Sequence, residues 1–167
     1  MKLQQSLFKN IIIISLMFFT VSCASTKNQI TGFEKFVYHS TRCFGTCPSL
    51  SLEVNADKTA RVQRQFFESR GKEQAENSGS FQGTLTNKQF NILMKAIKAS
   101  NYESLKFPDI DCCDAPIVTI IVYANGKKTY LKSMMPPQEA SELILFLQDY
   151  TSKIQLPTTT EKFEIEQ

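Results

Sequence analysis

The chain predicts an α+β domain: an antiparallel sheet in the order ββββ-α-ββ-α, with two helices packed on one face. Three observations carry this. Short segments between residues 34 and 85 alternate apolar and polar side chains with period two. An Asn-Gly pair joins two strand-like runs near residue 125. Two segments, opening at Thr86 and Pro137, switch to a period of about 3.6.

The strands come first. "EKFVYHS" places Phe36 and Tyr38 on one side and Lys35, Val37 and His39 on the other. "LSLEV" sends Leu50, Leu52 and Val54 one way and Ser51 and Glu53 the other. "NADK" is a turn signal, and "TARVQRQFF" is a looser strand with Ala60, Val62, Arg64 and Phe66 on one side. Glu68 to Asn77 is polar, contains Gly71 and reads as a loop; "GSFQGTL" is the fourth strand of a meander. Later, "PIVTIIVYANGKKTYLKS" is a hairpin, because Asn125 and Gly126 both tolerate positive φ. Its first strand is β-branched from Ile117 to Val122, which suits a central, covered position.

Helix signals frame this hairpin. Thr86 and Gln89 form a capping-box pattern, and Leu85 and Phe90 have the spacing of a hydrophobic staple. Phe90, Leu93, Met94 and Ile97 make the buried stripe, which fades near Ser100. Pro137 suits the first turn of the last helix and Glu139 suits its dipole. Ala140, Leu143, Ile144, Leu147, Tyr150 and Ile154 form its apolar side.

Ahead of the domain, Lys2 and Lys9 precede the apolar run Ile11 to Val21. That run is too short for a membrane span, which needs roughly 20 residues. Residues 1–22 read as a lipoprotein signal peptide, and "TVSC" resembles a lipobox with Cys23 as the acylated residue. Thr20 departs from the usual Leu-like residue of a lipobox. Two or more acyl chains, palmitate among them, give stable anchoring. Ala24 after Cys23 favours the outer membrane, facing the periplasm. Residues 23–31 are then a lipidated tether, 32–156 a single domain, and 157–167 a loosely ordered tail. The formal charge of +3 includes Lys2 and Lys9, so the processed chain is close to neutral. No basic patch points to nucleic acid. The partners expected are the membrane, through the lipid on Cys23, and an envelope protein or ligand.

"RCFGTCPS", Arg42 to Ser49, is the densest local signal. With Cys23 assigned to lipid, Cys43, Cys47, Cys112 and Cys113 remain as disulfide candidates in an oxidising compartment. Three pairings are open. Cys43–Cys47 closes a tight loop, with Gly45 to bend it and Pro48 to hold Cys47 extended. That pairing leaves a strained, labile Cys112–Cys113 bridge. The other two tie distant loops together, which stabilises by about 3–5 kcal/mol. Spacing alone does not choose among them.

Metal and redox chemistry are weighed on the same residues. His39, Cys43 and Cys47 are weak metal candidates, with Cys112, Cys113 and Asp114 to complete a zinc or Cu(I) shell. C-x3-C is not the spacing of zinc knuckles, and His39 lies in a strand pattern, so no metal and no other cofactor is expected. The redox signature is C-x2-C opening a helix; here the spacing is longer and a strand follows. His39 is the only histidine, and neither Gly-x-Ser-x-Gly nor His-Glu-x-x-His occurs. No catalytic residue is assigned and an enzyme is not the expectation. Asp109, Asp111 and Asp114 make a solvated acidic loop, without the glycine and distal Glu of a calcium site.

Together, "CFGTCPSLSLEV", the capped helix, "CDAP" and "NGK" resemble a bacterial envelope family built on a domain of unknown function. That family is marked by a C-x-G-x-C-P segment and a later Asp-x-Pro. The likeness spans about Phe33 to Leu156, and its positions here are Cys43, Gly45, Cys47, Pro48, Asp114 and Pro116. It implies this fold and, often, lipidation, and it implies no reaction. Cys112 and Cys113 are additions to its pattern, so the resemblance favours a Cys43–Cys47 bridge. The function expected is a binding or accessory module of the cell envelope with disulfide-stapled loops. The "CFGTCP" and "DIDCCDAP" loops are expected to lie near each other. The alternative is a thiol-redox or metal-handling protein using Cys43, Cys47, Cys112 and Cys113.

Overall fold

The computed structural model describes residues 30–110, 112 and 114–167. The segment read as a signal peptide, the acylation candidate Cys23, most of the expected tether, Asp111 and Cys113 lie outside the described residues. The strands are β1 (Phe33–Ser40), β2 (Ser49–Asn55), β3 (Thr59–Gln65), β4 (Phe67–Ser69), β5 (Lys72–Glu73), β6 (Gly79–Thr84), β7 (Val118–Ala124) and β8 (Lys127–Ser133). The helices are α1 (Asn87–Ala99) and α2 (Ser141–Lys153). Six strands form one antiparallel sheet in the order β6-β3-β2-β1-β7-β8, and β4 and β5 form a separate hairpin. Among the described residues, no helix is long and apolar enough to cross a membrane.

Period two becomes two chemically different faces. Phe36, Tyr38, Leu50, Leu52, Val54, Val62, Ile120 and Val122 join Phe90, Leu93, Met94, Ile97, Leu143 and Leu147 in one core. The helices therefore cover one face of the sheet, where each large side chain fully removed from water stabilises by about 1.5–3 kcal/mol. Thr86 caps α1 through a complete capping box with Gln89. At the other helix Pro137 precedes a 3-10 turn, Gln138–Ala140, and α2 begins only after it. The Asn125-Gly126 turn has φ of 53° and 69°, as an Asn-Gly hairpin requires. It docks on the start of β1, where Asn125 N–H donates to Gly32 O (2.8 Å) and Asn125 Nδ2 to Thr31 O (3.0 Å). Gly32 has φ +62°, and a Cβ there would lie 2.1 Å from Asn125 Oδ1, so only glycine fits.

Two expectations need correction. The element order gains a hairpin, because the polar stretch after Phe66 folds into β4 and β5 around Gly71 at φ +80°. These strands have little buried surface, so no apolar alternation marks them. The second concerns the tail, which packs across the face opposite the helices. Gln82 N–H donates to Pro157 O (3.0 Å) and Thr159 N–H to Ser80 O (2.9 Å), so the tail pairs with the outer edge of β6. Ile165 is buried with Val37 and Ile121, and Gln63 Nε2 donates to Phe163 O (2.9 Å). Composition understates this segment because only two apolar residues, Phe163 and Ile165, meet a small apolar patch that the sheet register creates.

Glu166 fastens the strap. Its carboxylate meets Lys128 Nζ (2.7 Å) and Lys35 Nζ (2.9 Å), and Tyr123 Oη donates to it (2.7 Å). The hydrogen bond from Lys128, with those from Lys35 and Tyr123, holds the carboxyl down at about 2 against an ordinary 4.5. A depressed acid stabilises the fold above its unfolded value and loses that contribution as pH falls toward its folded value. The tail's contribution is expected to be complete above about pH 5 and to fade between pH 4.5 and pH 2. Urea unfolding at stepped pH checks this. Glu166→Gln should flatten the slope in that window, and equal slopes in parent and variant would remove the strap's role.

Candidate functional site

The loops that carry the chemistry leave the sheet at one end. β1 finishes at Ser40 and β2 begins at Ser49, so Thr41 to Pro48 forms the connection between them. Cys43 and Cys47 are bridged, with Cα atoms 5.3 Å apart. Gly45 N–H points at Cys43 Sγ (3.4 Å). Its φ is outside the left-handed region, and a Cβ there would meet only Cys43 Sγ at 3.7 Å. The bend assigned to Gly45 therefore does not use glycine's conformational freedom. Phe44 is 55% exposed at the tip, and the guanidinium of Arg70, at the turn of the β4–β5 hairpin, lies 3.3 Å from its ring centroid.

β7 pairs with β1 at the same end, and the pairing runs on into the loops. Thr41 N–H donates to Ile117 O (3.0 Å), and Ile117 N–H donates to Thr41 Oγ1 (2.8 Å). The segment bearing Cys112, Asp114 and Pro116 thus reaches the sheet beside the stapled loop. Asp114 is exposed and Pro116 half-buried. Cys112 Sγ contacts Met135 Sδ (3.4 Å), on the β8 side of this end. As a disulfide, Cys43 and Cys47 are not thiolate ligands. Among the described residues, no three His, Cys, Asp or Glu side chains gather to hold a metal.

His39 belongs to the other face, in a polar row running across the strands. It lies opposite Ser51 of β2 and Thr119 of β7; Ser51 lies opposite Gln63, and Thr119 opposite Lys132. Nδ1 of His39 and Ser51 Oγ share a hydrogen bond of 2.8 Å. Burial, and secondarily the charge of Lys132, push the His39 pKa down, so the ring is neutral at pH 7. Thr119 Oγ1 is buried and finds no partner among the described residues. His39, Ser51, Gln63, Ser80 and Glu73 line a cavity of about 350 Å3 beside the hairpin. A second cavity, of about 230 Å3, lies between the stapled loop and the hairpin, lined by Arg42, Phe44, Gly45, Phe67 and Arg70.

Residues 34–151 match a domain of unknown function, DUF6438. The chain belongs to that family. No curated protein matches it. The DUF6438 match takes in nearly all of the six-stranded sheet, α1, most of α2 and the Cys43–Cys47 loop. The strap from residue 157 onward lies beyond the matched span. Gly45, Pro48, Asp114 and Pro116 all fall inside the span.

Sequence reasoning passed over the Arg42–Arg70 cavity and the row around His39. A signal for the row was present, since Ser51 and His39 both occupy the polar side of their strands; the register that aligns them was not. For the staple, a bridge four residues apart removes little unfolded-state entropy, about 2 kcal/mol in the chain-entropy account. The double replacement Cys43→Ser with Cys47→Ser is therefore expected to lower stability by no more than about 2 kcal/mol. The unfolding transition should stay cooperative. Chemical denaturation checks it, and collapse of the transition would make the bridge a folding requirement.

Proposed function

We propose that this DUF6438 chain is a cell-envelope lipoprotein, acylated at Cys23 and held at the outer membrane facing the periplasm. Its domain acts as a binding or accessory module whose ligand-facing end is the stapled-loop end. The observation that supports a binding role is the exposed Phe44 on a disulfide-locked loop, with cavities of about 230 and 350 Å3 both touching the neighbouring hairpin. Locking a contact loop in advance lowers the ordering cost of binding. The basic flank, short apolar run and Ser22-Cys23 junction support the anchor.

Two measurements test this reading. In a Gram-negative host, the full chain should incorporate a palmitate analogue and fractionate with the outer membrane, and Cys23→Ser should lose both. Unlabelled parent protein would end the anchor assignment. A photoreactive side chain at position 44 should give a discrete adduct in intact cells. The same group at Leu145, 65% exposed on α2, should give none. Equal labelling at both positions would end the assignment of the binding end.

A further inference from the structure

The described residues hold four arginines, and the guanidinium groups of two of them have partners within the fold. Arg61 pairs with Glu53 (3.7 Å). Arg64 donates to the carbonyls of Ser152 and Ile154. Arg42 and Arg70, the other two, come from separate loops and line the same 230 Å3 cavity. Neither makes a hydrogen bond or ion pair among the described residues. No carboxylate lines that cavity: Glu68 of the hairpin pairs with Lys72 (2.5 Å), and Glu73 lines the other cavity. Two arginines lining one small concavity bring like charges to the same place, which a bound anion would offset.

We propose that Arg42 and Arg70 form a binding site for a terminal oxyanion, a carboxylate or phosphate group at the end of a ligand. At 3.3 Å from the ring centroid, only a face-on approach of Arg70 to Phe44 fits. Stacking fixes the guanidinium plane and leaves its edge donors for bidentate contact with an oxyanion. The disulfide fixes the wall that carries Arg42 and Phe44. Gly45 needs neither positive φ nor close packing, and it borders the cavity, so its missing side chain leaves room for an occupant. The cavity is smaller than the roughly 300–1,000 Å3 of whole-ligand pockets, and it accepts an end group with apolar contact from Phe44 and Phe67.

This assignment rests on the stapled-loop end being the ligand-facing end. The test is an NMR titration of the isotope-labelled full chain, in a maltoside detergent, with inorganic phosphate, acetate and chloride at constant ionic strength. Amides of residues 42–46 and 70–71 should shift saturably with phosphate or acetate, at least tenfold more tightly than with chloride; the better anion names the group. Arg42→Gln and Arg70→Gln should each weaken binding by about tenfold or more. Gly45→Leu should abolish it while leaving the unfolding midpoint unchanged. Arg61→Gln should bind as the parent does. Shifts that fail to saturate, or Arg42→Gln and Arg70→Gln variants that titrate like the parent, overturn the site. If they do so while the position-44 adduct persists, the oxyanion assignment falls and the binding role stands; loss of both removes both.

Discussion

Phe36→Ala is expected to lower stability by about 3–5 kcal/mol, read from the midpoint shift in urea unfolding. Phe36 is fully buried in β1, opposite Val54 on one side and Val122 on the other. Its strand is interior to the sheet, and the helices close the face above it. A cavity there has no edge from which water or a loop can fill it, so the lost burial and the cavity cost add. A domain of this size has a total stability of about 5–15 kcal/mol, so the variant sits near the threshold for folding. A shift below about 1 kcal/mol would show that the core relaxes around the gap.

Arg64→Ala is expected to cost about 3 kcal/mol, by loss of two charge-assisted hydrogen bonds at about 1.5–3 kcal/mol each, partly offset by water entering. Arg64 points from β3 toward the helices. Nη1 donates to Ser152 O (2.8 Å), Nη2 donates to Ile154 O, and the guanidinium lies over the Phe81 ring (4.4 Å). Burial lowers its pKa, yet the C-terminal carbonyls of α2 supply the negative end that a carboxylate would otherwise provide. One planar fork therefore joins β3, β6 and the end of α2. Arg64→Lys should recover less than half of the loss, since an ammonium cannot span both carbonyls while stacking. Full recovery by lysine would reduce the contact to simple charge.

Local chemistry was legible in the sequence and register was not. The Thr86 capping box, the Asn125-Gly126 turn and the apolar sides of β1, β2 and β7 are each written within a few residues. The stapled loop and the segment before β7 leave the sheet at the same end because their strands pair directly. By contrast, β4 and β5 bury too little to leave a period, and the tail's place depends on a patch shared by Val37 and Ile121 from different strands. The polar row has the same origin: His39, Ser51 and Thr119 come together only through the pairing of β2, β1 and β7. The Arg42–Arg70 cavity needs a hairpin whose approach to the loop is tertiary.

The interior position of β1 also sets the order of assembly. Phe36 meets Val54 from nearby in the chain, while Val122 arrives only after β6 and α1 have been made. Until β7 is available, one side of β1 remains an unpaired strand edge, a template for association with other chains. Such distant pairing slows folding toward milliseconds or longer. In chain order the sheet is complete only once β7 and β8 have been made, and the strap closes the edge of β6 after them.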